Sequence, residues 1–293
     1  MNKFYGTGVA LITPFHADGQ VDYDGLKNLI DYLIDGGVEY LVVLGTTGEN
    51  VTLSSEEKKK VWAYTAELNM GRVPLMAGIG GNNTAEVIEQ LQEFNTDGYS
   101  AILSVSPSYN KPTQEGIYQH YKAIAQISPL PIMLYNVPGR TGGNINADTT
   151  IRLANEFKNI IGIKEASGNF DQFNQIMRDK PEDFILVSGD DPVALPMIAL
   201  GGAGVISVIG NALPRQLSDM IRTALKGDFK DAQKAHYSLI DFTRLMFAEG
   251  NPAGVKTALK QIGICGDTLR LPLVQVSSYT AQQIISETQK LTK

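Results

Sequence analysis

The stretches PIMLYNVP at residues 131–138 and IIGIKEAS at 160–167, with a helix-patterned polar segment between them, decide the fold. Both are short, rich in branched apolar residues and apolar on both faces, as parallel strands between two covering layers must be. Working outward, the same rhythm recurs at GVALITPF (8–15), YLVVLGTT (40–47), PLMAGIGG (74–81), SAILSVSP (100–107), FILVSGDD (184–191) and GVISVIGN (204–211). Eight strand-then-helix units in about 225 residues match a closed (β/α)8 TIM barrel better than an open doubly wound sheet.

Helix punctuation supports that reading. Ser54-Ser55-Glu56-Glu57 and Asn83-Thr84-Ala85-Glu86 look like starts of the second and third helices, and Gly36-Gly37, Gly98 and Gly201-Gly202 like stops. After residue 228 the strand rhythm ends. The segments FKDAQKAHYSLIDFTRLMF, NPAGVKTALKQIG and SYTAQQIISETQKLTK read as further helices. No Pro/Gly/Ser-rich linker precedes them, so residues 1–228 are expected to form the barrel and 229–293 a helical C-terminal extension of the same domain. The charge run EEKKK at 56–60 reads as a solvated helix face.

Composition excludes several function classes. A formal net charge of -6, from 25 Lys+Arg against 31 Asp+Glu, offers no basic field for nucleic acid. One cysteine, Cys265, rules out an internal disulfide framework and a thiolate metal cluster, and His16, His120 and His236 are too dispersed for a local metal motif. No apolar run reaches membrane-spanning length, and the N-terminus lacks a cleavable leader pattern. The expectation is a soluble, cytoplasmic protein without metal or cofactor. Asp190-Asp191 has no partners at ligand spacing, and GIGGN and GGAG lack the spacing of a dinucleotide fingerprint.

In such a barrel, chemistry belongs to the C-terminal ends of the strands. There, IIGIKEAS puts Lys164 in an apolar run, sharing a face with Gly162 while Ile161 and Ile163 take the other. It is either a structural ion-pair partner or an amine nucleophile, because removal from water favours the neutral, attacking form of an amine. Tyr135 ends the fifth strand and Arg140 follows in the loop; one could move protons, the other could grip a carboxylate bidentately. Tyr135 alone is equally a core aromatic. The turn GTTGE (45–49) exposes hydroxyls and backbone N–H groups suited to a carboxylate, though it also reads as a plain turn. Tyr109, in the proline-bounded SPSYNKP loop, fits a mouth residue or a subunit contact.

Taken together, GTTGE (45–49), SYNKP (108–112), YNVPGRTG (135–142), GIKEASG (162–168), SGDD (188–191) and NPAGVK (251–256) resemble the dihydrodipicolinate synthase and N-acetylneuraminate lyase family, class I aldolases that use pyruvate. Thr47 following Thr46 in GTTGE, where the lyases resemble GSTGE, and Arg140 in the loop after YNVP resemble the synthase branch. The resemblance implies that Lys164 forms an imine with pyruvate and that Tyr135 transfers protons through a relay with Thr46 and Tyr109. It further implies that Thr47 and the backbone at Gly189 and Ile206 contact pyruvate, and that Arg140 holds the carboxylate of L-aspartate 4-semialdehyde. The implied product is 4-hydroxy-tetrahydrodipicolinate, in lysine and diaminopimelate biosynthesis. No nucleic acid or membrane partner is implied; a homodimer or homotetramer is, with Tyr109 acting across the subunit boundary. Where lysine-inhibited members carry a histidine and a second tyrosine, this chain has Lys58 and Ser108, although Asn82 and Glu86 are retained, so weak lysine inhibition is expected. A sister aldolase or lyase acting on a sugar acid, and a non-catalytic binding barrel, are the competing readings.

Overall fold

A computed structural model describes residues 3–292. Eight parallel strands close into a barrel in sequence order: β1 (Gly6–Ala10), β2 (Tyr40–Val43), β3 (Leu75–Gly78), β4 (Tyr99–Val105), β5 (Ile132–Asn136), β6 (Ile160–Glu165), β7 (Ile185–Ser188) and β8 (Gly204–Ser207). The closed barrel thus replaces the open-sheet alternative. Closure at β1 and β8 depends on Gly204: its φ of 141° suits glycine, and an added Cβ would collide with the Gly6 carbonyl oxygen.

Two apolar layers follow from strand alternation. Side chains such as Val42, Met76, Leu103, Met133, Val187 and Ile206 fill the barrel interior. Residues of opposite phase, among them Val9, Leu41, Ile102, Leu134 and Ile163, meet the surrounding helices in a larger cluster. The helix Ser55–Asn69 begins with a reciprocal cap: Glu57 N–H donates to Ser54 Oγ at 3.2 Å, and Ser54 N–H donates to the Glu57 carboxylate at 2.8 Å. The later helices Phe229–Phe247, Ala253–Gln261 and Ser278–Leu291 contribute Phe242, Leu259 and Ile284 to the outer cluster. Among the described residues, no helix is long and apolar enough to cross a membrane.

Three sequence expectations need correction. Most of the expected strand runs overshoot, because their last residues leave the ladder and turn over the barrel mouth; after Val43, for example, Thr46–Gly48 form a 3-10 turn. Gly98 stops no helix: Thr84–Glu93 has already ended, and Gly98, at φ 79°, turns the chain into β4. Ile161 does not share a layer with Ile163 but packs on the barrel interior. The register slips there, with Ile132 opposite Ile160 and Met133 opposite Gly162, so Ile161 is skipped and the alternation shifts by one.

Candidate active site

The eight candidate residues all lie at the C-terminal ends of strands or in the loops that follow. Thr46 and Thr47 follow β2, Tyr109 follows β4, Tyr135 ends β5 with Arg140 beyond it, Lys164 lies on β6, Gly189 follows β7 and Ile206 lies on β8. Pairing of β5 with β6 sets Tyr135 directly opposite Lys164. The Lys164 amine lies 4.2 Å from the centre of the Tyr135 ring, and both residues are buried, at 5% exposure. Among the described residues Lys164 forms no ion pair within 4 Å, unlike the buried Lys256. Glu165 points to the opposite face and is engaged elsewhere.

Gly189 is packed onto the lysine stem. A Cβ there would stand 2.7 Å from the Ala166 methyl and 3.0 Å from Lys164 Cε, and its N–H donates to the Glu165 carbonyl at 2.7 Å. The next residue, Asp190, feels the lysine charge: burial raises its carboxyl above the usual range, and Lys164 partly offsets this. Asp191 is fully buried and raised by desolvation, while its carboxylate accepts from the Val208 and Ile209 N–H groups at 3.0 and 3.1 Å, fixing the end of β8. These two contacts account for the burial of one Asp191 oxygen in the SGDD run.

The β2 loop is anchored from the C-terminal extension. Asn251 Nδ2 donates to Thr47 Oγ1 at 2.9 Å, and Lys256 forms a fully buried ion pair of 2.5 Å with Glu49. Burial lowers the Lys256 pKa, and Glu49 counteracts it. Glu49 itself sits in the left-handed region at φ 51°, so the GTTGE turn is held in its shape by these contacts. Thr46 is half-buried at the mouth and makes no side-chain hydrogen bond among the described residues.

Tyr109 and Arg140 stand apart from the buried pair. Tyr109 is 89% exposed, also left-handed at φ 70°, and tethered by its N–H to the Thr141 carbonyl at 3.1 Å. A bulky residue is rarely left-handed without a reason, and here no hydrogen bond or ring contact joins it to Tyr135 of its own chain. Arg140 lies on the four-residue helix Pro138–Thr141, exposed and without a carboxylate partner among the described residues. The whole arrangement offers a desolvated primary amine beside a phenol, a hydroxyl-bearing turn, and a free guanidinium nearby in sequence.

Sequence reasoning missed the supporting shell. Asn136, Asn144, Glu165, Gln172 and Asn251 all make buried or half-buried polar contacts behind these residues. A signal for two of its members existed: Tyr135 and Lys164 are each followed by a polar residue, Asn136 and Glu165, inside otherwise apolar strands.

Comparison with known proteins agrees over the full length. A family profile described as the dihydrodipicolinate synthetase family matches residues 3–291. The chain is 52% identical over 293 residues to the 4-hydroxy-tetrahydrodipicolinate synthase of Flavobacterium psychrophilum, covering 100% of both. The crystal structure of dihydrodipicolinate synthase from Aquifex aeolicus superposes with a TM-score of 0.96 at 43% identity, covering 99% of this chain and 98% of that one. That of the enzyme from Cyanidioschyzon merolae with lysine bound gives 0.95 at 38% identity, covering 99% and 100%. With this barrel, these strand-end residues and this full-length similarity, the chain belongs to the dihydrodipicolinate synthetase family.

Proposed function

We propose that the chain condenses pyruvate with L-aspartate 4-semialdehyde to give 4-hydroxy-tetrahydrodipicolinate, a step of lysine and diaminopimelate biosynthesis, and needs no cofactor for it. The carrying observation is Lys164: a buried lysine without an ion pair among the described residues, its amine 4.2 Å from the ring centre of Tyr135. The unprotonated amine adds to the pyruvate carbonyl to give a carbinolamine, which loses water to an imine. The imine withdraws electrons, a methyl proton leaves, and the resulting enamine carbon attacks the aldehyde, whose oxygen takes up a proton. The amine of the second substrate then adds to the imine carbon, closing the ring and expelling Lys164.

Tyr135 is the proton donor and acceptor in this scheme, with Thr46 and Tyr109 completing its relay. Thr47 and the backbone at Gly189 and Ile206 hold pyruvate. Arg140, without a carboxylate partner among the described residues, suits the carboxylate of a short aldehyde better than a polyol chain, which favours this reaction over sugar-acid cleavage. Because Tyr109 is exposed and unattached to Tyr135, the proposed working form is a homodimer or a tetramer built from two dimers, with Tyr109 lent to the neighbour. The cytoplasm, where the thiol of Cys265 stays reduced, is the proposed compartment. Lysine is a weak inhibitor in this reading, since Lys58 places an amine where the inhibitor's amine would approach.

The test is a product assay with purified protein. Pyruvate and aspartate semialdehyde together should yield the six-membered heterocycle by mass spectrometry; cleavage of N-acetylneuraminate without that product would contradict the proposal.

A further inference from the structure

Behind the buried amine and phenol lies a knot of side chains that the reaction itself does not use. Asn136 and Glu165 are the residues immediately after Tyr135 and Lys164, and they too are opposite one another in the β5–β6 register. Because successive strand residues alternate faces, the inward pair is Tyr135 and Lys164 and the outward pair is Asn136 and Glu165. The outward pair is almost wholly buried, at 0% and 2% exposure.

Every partner of the Glu165 carboxyl group is a donor. Asn136 Nδ2 donates to both oxygens at 3.1 and 3.0 Å, Ser167 N–H to one at 2.7 Å, and Gln172 Nε2 to the other at 2.8 Å. Asn136 also donates to Asn144 Oδ1 at 2.8 Å and accepts from Ile145 N–H at 2.9 Å. Residues 137–143, which include Arg140, are therefore a loop closed at its base by Asn136, Asn144 and Ile145. Gln172 completes the circuit by accepting from Asn144 Nδ2 at 2.7 Å. A network this satisfied is rigid, because any shift of one strand breaks several buried hydrogen bonds together.

We infer that Glu165 and Asn136 are positioning residues: their hydrogen-bonded knot fixes the spacing of Lys164 and Tyr135 and sets the base of the loop that presents Arg140. The inference rests on the imine reading of Lys164. Neither residue touches substrate; they act through the side chains on the other face of their strands. A small misplacement of reacting groups is sufficient to lower a rate on the order of 10²-fold.

The test compares wild type with Glu165→Gln, which keeps size and polarity but replaces one acceptor by a donor facing Asn136 Nδ2. The expected result is a fall in kcat of about tenfold or more, a pyruvate KM little changed, and slower trapping of the pyruvate adduct by borohydride. The double exchange Glu165→Gln with Asn136→Asp restores a donor–acceptor pair and should recover part of kcat. Unchanged kinetics in folded Glu165→Gln would overturn the inference. Should Glu165→Gln fail to fold, Asn144→Ala at the rim of the knot decides: a clear rise in KM for the aldehyde supports it, and unchanged kinetics overturn it. If wild type itself takes no label from pyruvate and borohydride, the imine reading fails and the inference with it. Label in wild type with unchanged variant kinetics removes the positioning pair alone.

Discussion

The amine of Lys164 rests 4.2 Å from the ring centre of Tyr135 because the two residues are directly paired across β5 and β6. Their relation is therefore a property of sheet register and not of loop conformation. The proposed proton carrier and the proposed imine-forming amine are thus placed by the barrel sheet, while Arg140, proposed to face the second substrate, lies beyond the strand end.

Arg140 is the first of those loop residues to test. Arg140→Ala should weaken use of aspartate semialdehyde by about 1.5–3 kcal/mol, the usual worth of a charged hydrogen bond, and leave trapping of the pyruvate imine intact. Steady-state kinetics with each substrate varied in turn measure both. Wild-type kinetics for the aldehyde would remove Arg140 from the carboxylate site.

Gly189→Ala should disturb the lysine itself. Its methyl would press on Ala166 at 2.7 Å and on Lys164 Cε at 3.0 Å, overpacking that costs about 1–3 kcal/mol. Stability should fall by that amount in denaturant melts, and the rate of imine formation should fall with it. Imine formation at the wild-type rate would show that Lys164 tolerates the added methyl.

Tyr109 can be tested by subunit exchange. Tyr109→Phe and Lys164→Ala chains, each poorly active, are mixed in equal amounts under conditions that scramble subunits. An isologous dimer would then hold one complete site per heterodimer, about a quarter of all sites. Activity near that fraction supports action across the boundary; verified heterodimers as inactive as their parents place Tyr109 in its own chain's site.

His120 predicts a pH dependence of stability. It is buried on the helix Gln114–Ile127, with Nδ1 2.9 Å from Thr84 Oγ1, and burial pushes its imidazole down to about 4 from an ordinary 6.5. Between those values the unfolded chain takes up the proton and the folded chain resists it. Its contribution is thus complete above pH 6.5 and lost as pH falls through about 4. Tm measured over this range should fall more steeply for wild type than for His120→Gln, and parallel curves would rule out this histidine as a source.

Much of this was legible in the sequence, and the reasons are specific. Lys164 stood out because a lysine is foreign to an apolar strand, and the barrel because eight such runs recurred between helix caps such as Ser54 and Asn83. Strand ends were less legible, since residues such as Leu44 and Ile79 are apolar and buried yet lie beyond the ladder. The skipped Ile161 was invisible, because a register slip depends on the neighbouring strand. The knot at Glu165 was hidden for a similar reason: its partners Asn136, Asn144 and Gln172 come from separate segments that only the closed barrel brings together.

Reductive trapping reads out the proposed covalent imine between Lys164 and pyruvate. Purified protein incubated with pyruvate and borohydride, then digested and mapped by mass spectrometry, should carry one pyruvate-derived adduct per chain, at Lys164. Label on another residue, or none in a preparation that turns over both substrates, would contradict imine formation at Lys164.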